Sequence, residues 1–135
     1  MQIGKSFKGE KGTYTTTKAL HTGGFGITWL AKDENQNEVV LKFPKEKSTI
    51  QNQKSTAEKT IEREIEILEM MENPPNSIVK FLDKSIDLKE PFLAEEYLQG
   101  TDLWDEVRNS DNGRGDNCLP ERLAIKYAKQ IGEGL

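Results

Sequence analysis

Cysteine and histidine are almost missing: the 135 residues hold one of each. With Cys118 alone, no disulfide can close inside the chain and no multi-cysteine zinc site can form. With His21 alone, a site built on several histidines is excluded as well. Positive charge is not in excess, because 19 Lys and Arg face 23 Asp and Glu for a net charge of −4. That sign is opposite to the basic footprint of a nucleic-acid binder. No run of about 18 apolar residues is present, and the N-terminus lacks the apolar stretch of a signal peptide. The chain therefore reads as soluble, cytoplasmic and without a membrane segment. Apolar residues are themselves scarce, at 34%. Counting glycine brings the share to roughly 42%, a little under the usual ~45–50%, which predicts a thin core. The length fits one domain or a large part of one.

What is present alternates between β-branched runs and turn residues. Residues 1–13, rich in lysine and glycine, read as a flexible N-terminal arm. Tyr14 to Leu20, Ile27 to Ala31 and Glu38 to Phe43 read as three strands in an antiparallel meander, the first two joined by a glycine turn. Asp33 to Asn37 is the polar turn before the third, and Pro44 ends it. A helix follows, with Ser55 or Thr56 as cap and Glu58 completing a capping box, and it runs to about Glu72 before Asn73-Pro74-Pro75. Ile78 to Leu82 and Pro91 to Tyr97 read as two further strands. After a Ser, Asp, Asn and Gly-rich loop over 109–117, Pro120 opens a last helix with Leu123, Tyr127, Ile131 and Leu135 on one stripe. That stripe is still running where the sequence stops.

Three features carry chemistry. Gly23, Gly24 and Gly26 allow backbone amides to approach phosphate oxygens with no Cβ in the way, although hairpin glycines by themselves more often serve a positive φ. Lys42 lies inside a strand on the face it shares with Val40, opposite Leu41 and Phe43. On the helix, Ile61, Ile65 and Leu68 form the apolar stripe, and Glu64 falls at its margin. An inward carboxylate and an inward ammonium each carry a desolvation cost that mutual pairing relieves. A Lys42–Glu64 ion pair is therefore expected.

Together these residues resemble the ATP-binding lobe of eukaryotic-like protein kinases, over about Tyr14 to Leu135. The glycine loop is Leu20-His21-Thr22-Gly23-Gly24-Phe25-Gly26-Ile27-Thr28, the strand-lysine motif Val39-Val40-Leu41-Lys42, and the helix motif Glu64-Ile65-Glu66-Ile67-Leu68. Asn76 to Phe81 is similar to the strand after that helix, Glu95 to Leu103 to the hinge between lobes, and the Pro120 helix to the first long helix of the second lobe. The run Gly-Gly-Phe-Gly-Ile-Thr-Trp-Leu-Ala is especially like bacterial serine/threonine kinases.

The resemblance implies an α+β fold: a five-stranded antiparallel sheet with one packed helix over 14–98, then the start of a second lobe over 99–135. It implies that the loop of Gly23, Gly24, Phe25 and Gly26 covers the phosphates of ATP, that Lys42 holds the α- and β-phosphates, and that Glu64 orients Lys42. Leu20, Thr28 and Val40 would sandwich the adenine, the backbone of Glu96 and Leu98 would read its edge, and Asp102 could meet the ribose. Glu95 would occupy the gatekeeper position, where an acid departs from the family's pattern. His21 replaces the loop's first glycine, and Thr28 the usual valine. Neither a His-Arg-Asp nor an Asp-Phe-Gly sequence occurs in the chain, so the base and the Mg²⁺ ligands are expected outside it and this stretch alone is expected to be inactive. The implied partners are ATP and a protein substrate phosphorylated on Ser or Thr. Two rival readings are a nucleotide-sensing or interaction module that self-associates through the last helix, and a small-molecule phosphotransferase.

Overall fold

A computed structural model describes residues 2–24, 26–45, 49, 53–71, 73, 78–87, 89–100, 125, 126, 128, 129 and 131. The chain divides into two units, Met1–Asn73 with Val79–Tyr97, and Pro74–Ile78 with Leu98–Leu135. In the second unit Ile125, Lys126, Ala128, Lys129 and Ile131 are helical and exposed. Leu123, Tyr127 and Leu135 of the expected stripe lie outside the described residues.

Among its described residues, the first unit is one antiparallel sheet and one helix. Its strands are β1 (Ser6–Lys8), β2 (Thr13–Thr22), β3 (Gly26–Lys32), β4 (Glu38–Pro44), β5 (Phe81–Lys84) and β6 (Leu93–Glu96), with α1 (Thr56–Met70) between β4 and β5. The order across the sheet is β1-β2-β3-β4-β6-β5. The meander β2-β3-β4 is the expected one, and Asp33 explains its second turn: Asp33 Oδ1 accepts from the N–H groups of Asn35 at 2.8 Å and Asn37 at 2.9 Å. These bonds hold the Asp33 carboxyl below the usual carboxylate range.

The sheet has six strands where five were expected. The additional strand, β1, comes from the segment expected to be a flexible arm. Its pattern is polar, apolar, polar, and the apolar residue is decisive: Phe7 is buried and its ring lies 4.7 Å from that of Phe43 and 6.1 Å from that of Phe92. Beyond β1 the chain crosses to the opposite edge. Gly9 bridges Ser85, the Glu10 N–H donates to the Lys84 carbonyl at 3.0 Å, and the Ile86 N–H donates to the Lys8 carbonyl at 3.3 Å. The sheet thus curls until its two edge strands meet, leaving neither edge fully open for pairing with another chain.

Inside the curl lie Phe7, Tyr14, Trp29, Ala31, Val39, Leu41, Phe43, Phe92 and Ala94. The outer face carries α1, whose Ile61 and Ile65 pack on Leu93. Strand alternation assigns the residues to these faces: Val39, Leu41 and Phe43 point inward, so Val40 and Lys42 face outward, as expected. The helix begins as the sequence predicts. Ser55 Oγ accepts from the Glu58 N–H at 3.1 Å, and the Glu58 carboxylate accepts from the Ser55 N–H at 2.7 Å. Ser55→Ala removes half of this box and is expected to cost about 1 kcal/mol, read as a lower urea midpoint with an unchanged slope. Among the described residues, no helix is long and apolar enough to cross a membrane.

Candidate nucleotide-phosphate site

Two neighbouring elements bring the charged pair together. Strand β4 presents Lys42 on the outer face, and α1 crosses that face with Glu64 directed at it. Lys42 Nζ donates to both carboxylate oxygens of Glu64, each at 2.9 Å. Each side chain is 31% exposed, so the pair is screened from most but not all solvent. A charge-assisted contact of this kind fixes the direction of the ammonium as well as its charge.

The glycine hairpin closes over the same strand. The Gly23 N–H donates to the Gly26 carbonyl at 2.8 Å, and Gly26 pairs with Pro44 while Thr28 pairs with Lys42. A Cβ on Gly26 would lie 3.2 Å from the Phe43 carbonyl oxygen and 3.4 Å from Lys42 Cε. The tight contact is with the Phe43 carbonyl, while the Lys42 stem is at ordinary contact distance, so glycine at 26 lets β3 lie close against β4, a role that spacing alone did not reveal. A Cβ on Gly23 would make ordinary contacts, and one on Gly24 would meet nothing. Among the described glycines, left-handed φ belongs to Gly4 and Gly100, so Gly23, Gly24 and Gly26 are not explained by positive φ. What glycine supplies at Gly24 is bare backbone facing open space, which suits close approach of an anion.

Thr28 shares the outer face with Lys42, and its hydroxyl donates to the His21 carbonyl at 3.3 Å. Val40 is half-buried on that face, and Leu20 is exposed. Glu96 has its N–H committed to the Lys80 carbonyl at 3.0 Å, and its carboxylate accepts from the Lys80 N–H at 2.8 Å. Its amide is thus already used. Leu98 belongs to the second unit and is exposed. Phe25 and Asp102 lie outside the described residues.

Glu95 is the residue whose part the sequence did not disclose. It stands directly opposite Val40 on one side and Phe81 on the other, and therefore on the face of Lys42 and Glu64. Burial raises its carboxyl above the ordinary value of 4.5, the Glu64 charge raises it further, and Lys42 partly offsets both. A carboxyl raised by folding favours the fold only while protonated, and that advantage is lost as pH rises through the raised value. Glu95→Gln is expected to raise the thermal midpoint at neutral pH. The gain should shrink as pH falls and vanish below the ordinary 4.5, where the native side chain is neutral too; melts across that range check it.

A curled antiparallel sheet with a helix on its outer face and a strand lysine gripped by a helix glutamate defines the upper lobe of the kinase fold. The chain belongs to the protein kinase family: the model of the protein kinase domain matches residues 14–135. Serine/threonine-protein kinase D of Synechocystis sp. is 34% identical over 124 residues, 88% of this chain and 24% of that protein. The chain thus spans about a quarter of the length of this curated relative. A crystal structure of a kinase domain superposes with a TM-score of 0.62 at 19% identity, covering 81% of this chain and 30% of its own. That likeness is one of fold.

Proposed function

We propose that this chain is the ATP-holding part of a cytoplasmic protein kinase that phosphorylates Ser and Thr hydroxyls. The observation that carries the reading is the Lys42–Glu64 pair, bidentate at 2.9 Å beside the glycine hairpin. An ammonium held by one carboxylate keeps its direction while a polyphosphate approaches, and it neutralises charge that a flexible lysine would reach only part of the time. Gly24 and Gly26 supply backbone that a phosphate can approach, and Val40 and Thr28 supply apolar surface for a purine on the same face. These residues fit a nucleoside triphosphate. Mg²⁺, when bound, would screen the phosphates, and its ligands are assigned to the Asp-Phe-Gly and catalytic-loop motifs that this sequence does not contain. The choice of Ser and Thr rests on the bacterial character of the loop and on the name of the Synechocystis relative. The lone cysteine supports a cytoplasmic setting.

The test is phosphoamino-acid analysis after the whole protein that contains this chain is incubated with labelled ATP and a basic protein acceptor. Phosphoserine and phosphothreonine are expected. Phosphotyrosine alone, or label only in a small-molecule acceptor, overturns the assignment. The 135-residue chain by itself is expected to transfer nothing, and turnover by it that Lys42→Met abolishes would overturn the view that base and metal ligands lie elsewhere.

A further inference from the structure

We propose that Glu95 is a second partner for Lys42, a carboxylate fixed on the sheet that takes the ammonium when it leaves Glu64. The inference goes beyond the nucleotide reading, because it concerns the lysine before any nucleotide arrives.

The register places the two groups. Lys42 pairs with Leu93 and Val40 pairs with Glu95, and residues directly opposite in an antiparallel pair point to the same face. Lys42 and Glu95 are therefore diagonal neighbours, about 7–8 Å apart in such an arrangement and somewhat closer between Cβ atoms. The four-carbon stem of a lysine spans that gap by rotation about its own bonds. No backbone movement is required.

The charges supply the motive. One ammonium lies in the field of two carboxylates from different elements, Glu64 on α1 and Glu95 on β6. Around Glu95, β5 places Phe81 opposite it, α1 packs there through Ile61 and Ile65, and its other diagonal neighbour on β4, Glu38, is exposed to solvent. Asp83, the ionisable residue of β5 nearest in sequence, is buried with its carboxylate bonded to Tyr14 on the inner side of the sheet. In contrast with that of Glu64, the Glu95 carboxylate makes no hydrogen bond or ion pair among the described residues. A half-buried carboxylate in that condition is stabilised by any cation that reaches it. Lys42 is the cation within reach.

Two arrangements then keep Lys42 neutralised. In one, Glu64 on α1 holds the ammonium by two oxygens; in the other, Glu95 holds it from a strand paired on both sides. Glu95 thus competes with Glu64 for the ammonium and acts as a positioning residue through Lys42.

The test reads protons and no nucleotide, so it stands or falls separately from the ATP reading. The Glu95 side-chain carboxyl is titrated by ¹³C NMR in the full chain and in Lys42→Met, Glu64→Gln and the double variant. With Glu64 present, Lys42→Met is expected to raise the Glu95 pKa only slightly, because Glu64 holds the ammonium. In the Glu64→Gln background the same substitution is expected to raise it by about 1 unit more, a tenfold change in proton affinity. An equal or smaller effect in that background overturns the proposal. Glu64→Ala gives the same comparison without an amide that could bind Lys42, and amide spectra matching the native chain establish that each variant is folded.

Discussion

Gly9→Ala is expected to destabilise the fold by about 3 kcal/mol, the sum of an overpacking cost and weakened buried hydrogen bonds. A Cβ at Gly9 would overlap Asp83 Oδ2 and lie 2.9 Å from Asp83 Cγ and 3.0 Å from Tyr14 Cε2. Asp83 has nowhere to retreat. It is 1% exposed, and its carboxylate accepts from the Tyr14 hydroxyl at 2.7 Å, the Lys11 N–H at 3.0 Å and the Lys84 N–H at 2.8 Å. These bonds tie β2, the chain beyond β1 and β5 together at the point where the sheet edges meet. Burial and the Asp83 carboxylate keep the Tyr14 phenol well above its ordinary value of 10.0, so Tyr14 remains a donor throughout the usable pH range. Urea denaturation measures the loss. A change below about 0.5 kcal/mol, the range of surface substitutions, would show that Asp83 is free to move and does not hold the closure.

That closure was not legible in the sequence, for physical reasons. Strand β1 is three residues long, and a single phenylalanine among lysines and glycines produces no period. Its burial depends on Phe43 and Phe92, far away in sequence. Phe81-Leu82-Asp83-Lys84 likewise gives no sign that its aspartate points inward, because the donors come from Tyr14 and from the backbone of Lys11. The outer face was far more legible. Alternation along Val39 to Phe43 fixed the side on which Lys42 emerges, and the capping box fixed where α1 starts. Helical phase then placed Glu64 beside the apolar stripe, so desolvation alone demanded a partner for each charge. The glycines were half legible: the meander puts the glycine turn on the strand next to that of Lys42, but the close fit of Gly26 against the Phe43 carbonyl depends on register across β3 and β4. The link between Glu95 and the pair depends on register too, since β6 reaches β4 only after α1 and β5 have been passed.

Lys42→Met is expected to lower kcat/KM for phosphoryl transfer by about 10²–10³ in the whole protein that contains this chain, the loss typical of removing one pre-aimed electrostatic group. Under the proposed function, Glu64→Gln should cost less, because Lys42 keeps its charge and loses only its bidentate restraint at 2.9 Å. The informative measurement is the double variant. If Glu64 acts through Lys42, its removal matters only while Lys42 is present, so Lys42→Met with Glu64→Gln should be no slower than Lys42→Met alone. Independent contributions would multiply instead. Thermal midpoints separate this from unfolding: both side chains are partly exposed, so neither single variant buries an isolated charge and each should melt within a few degrees of the native protein. A double variant slowed by the product of the two single losses would mean that Glu64 touches the reaction by a route other than Lys42, and the pair could not then be the unit that grips the phosphates.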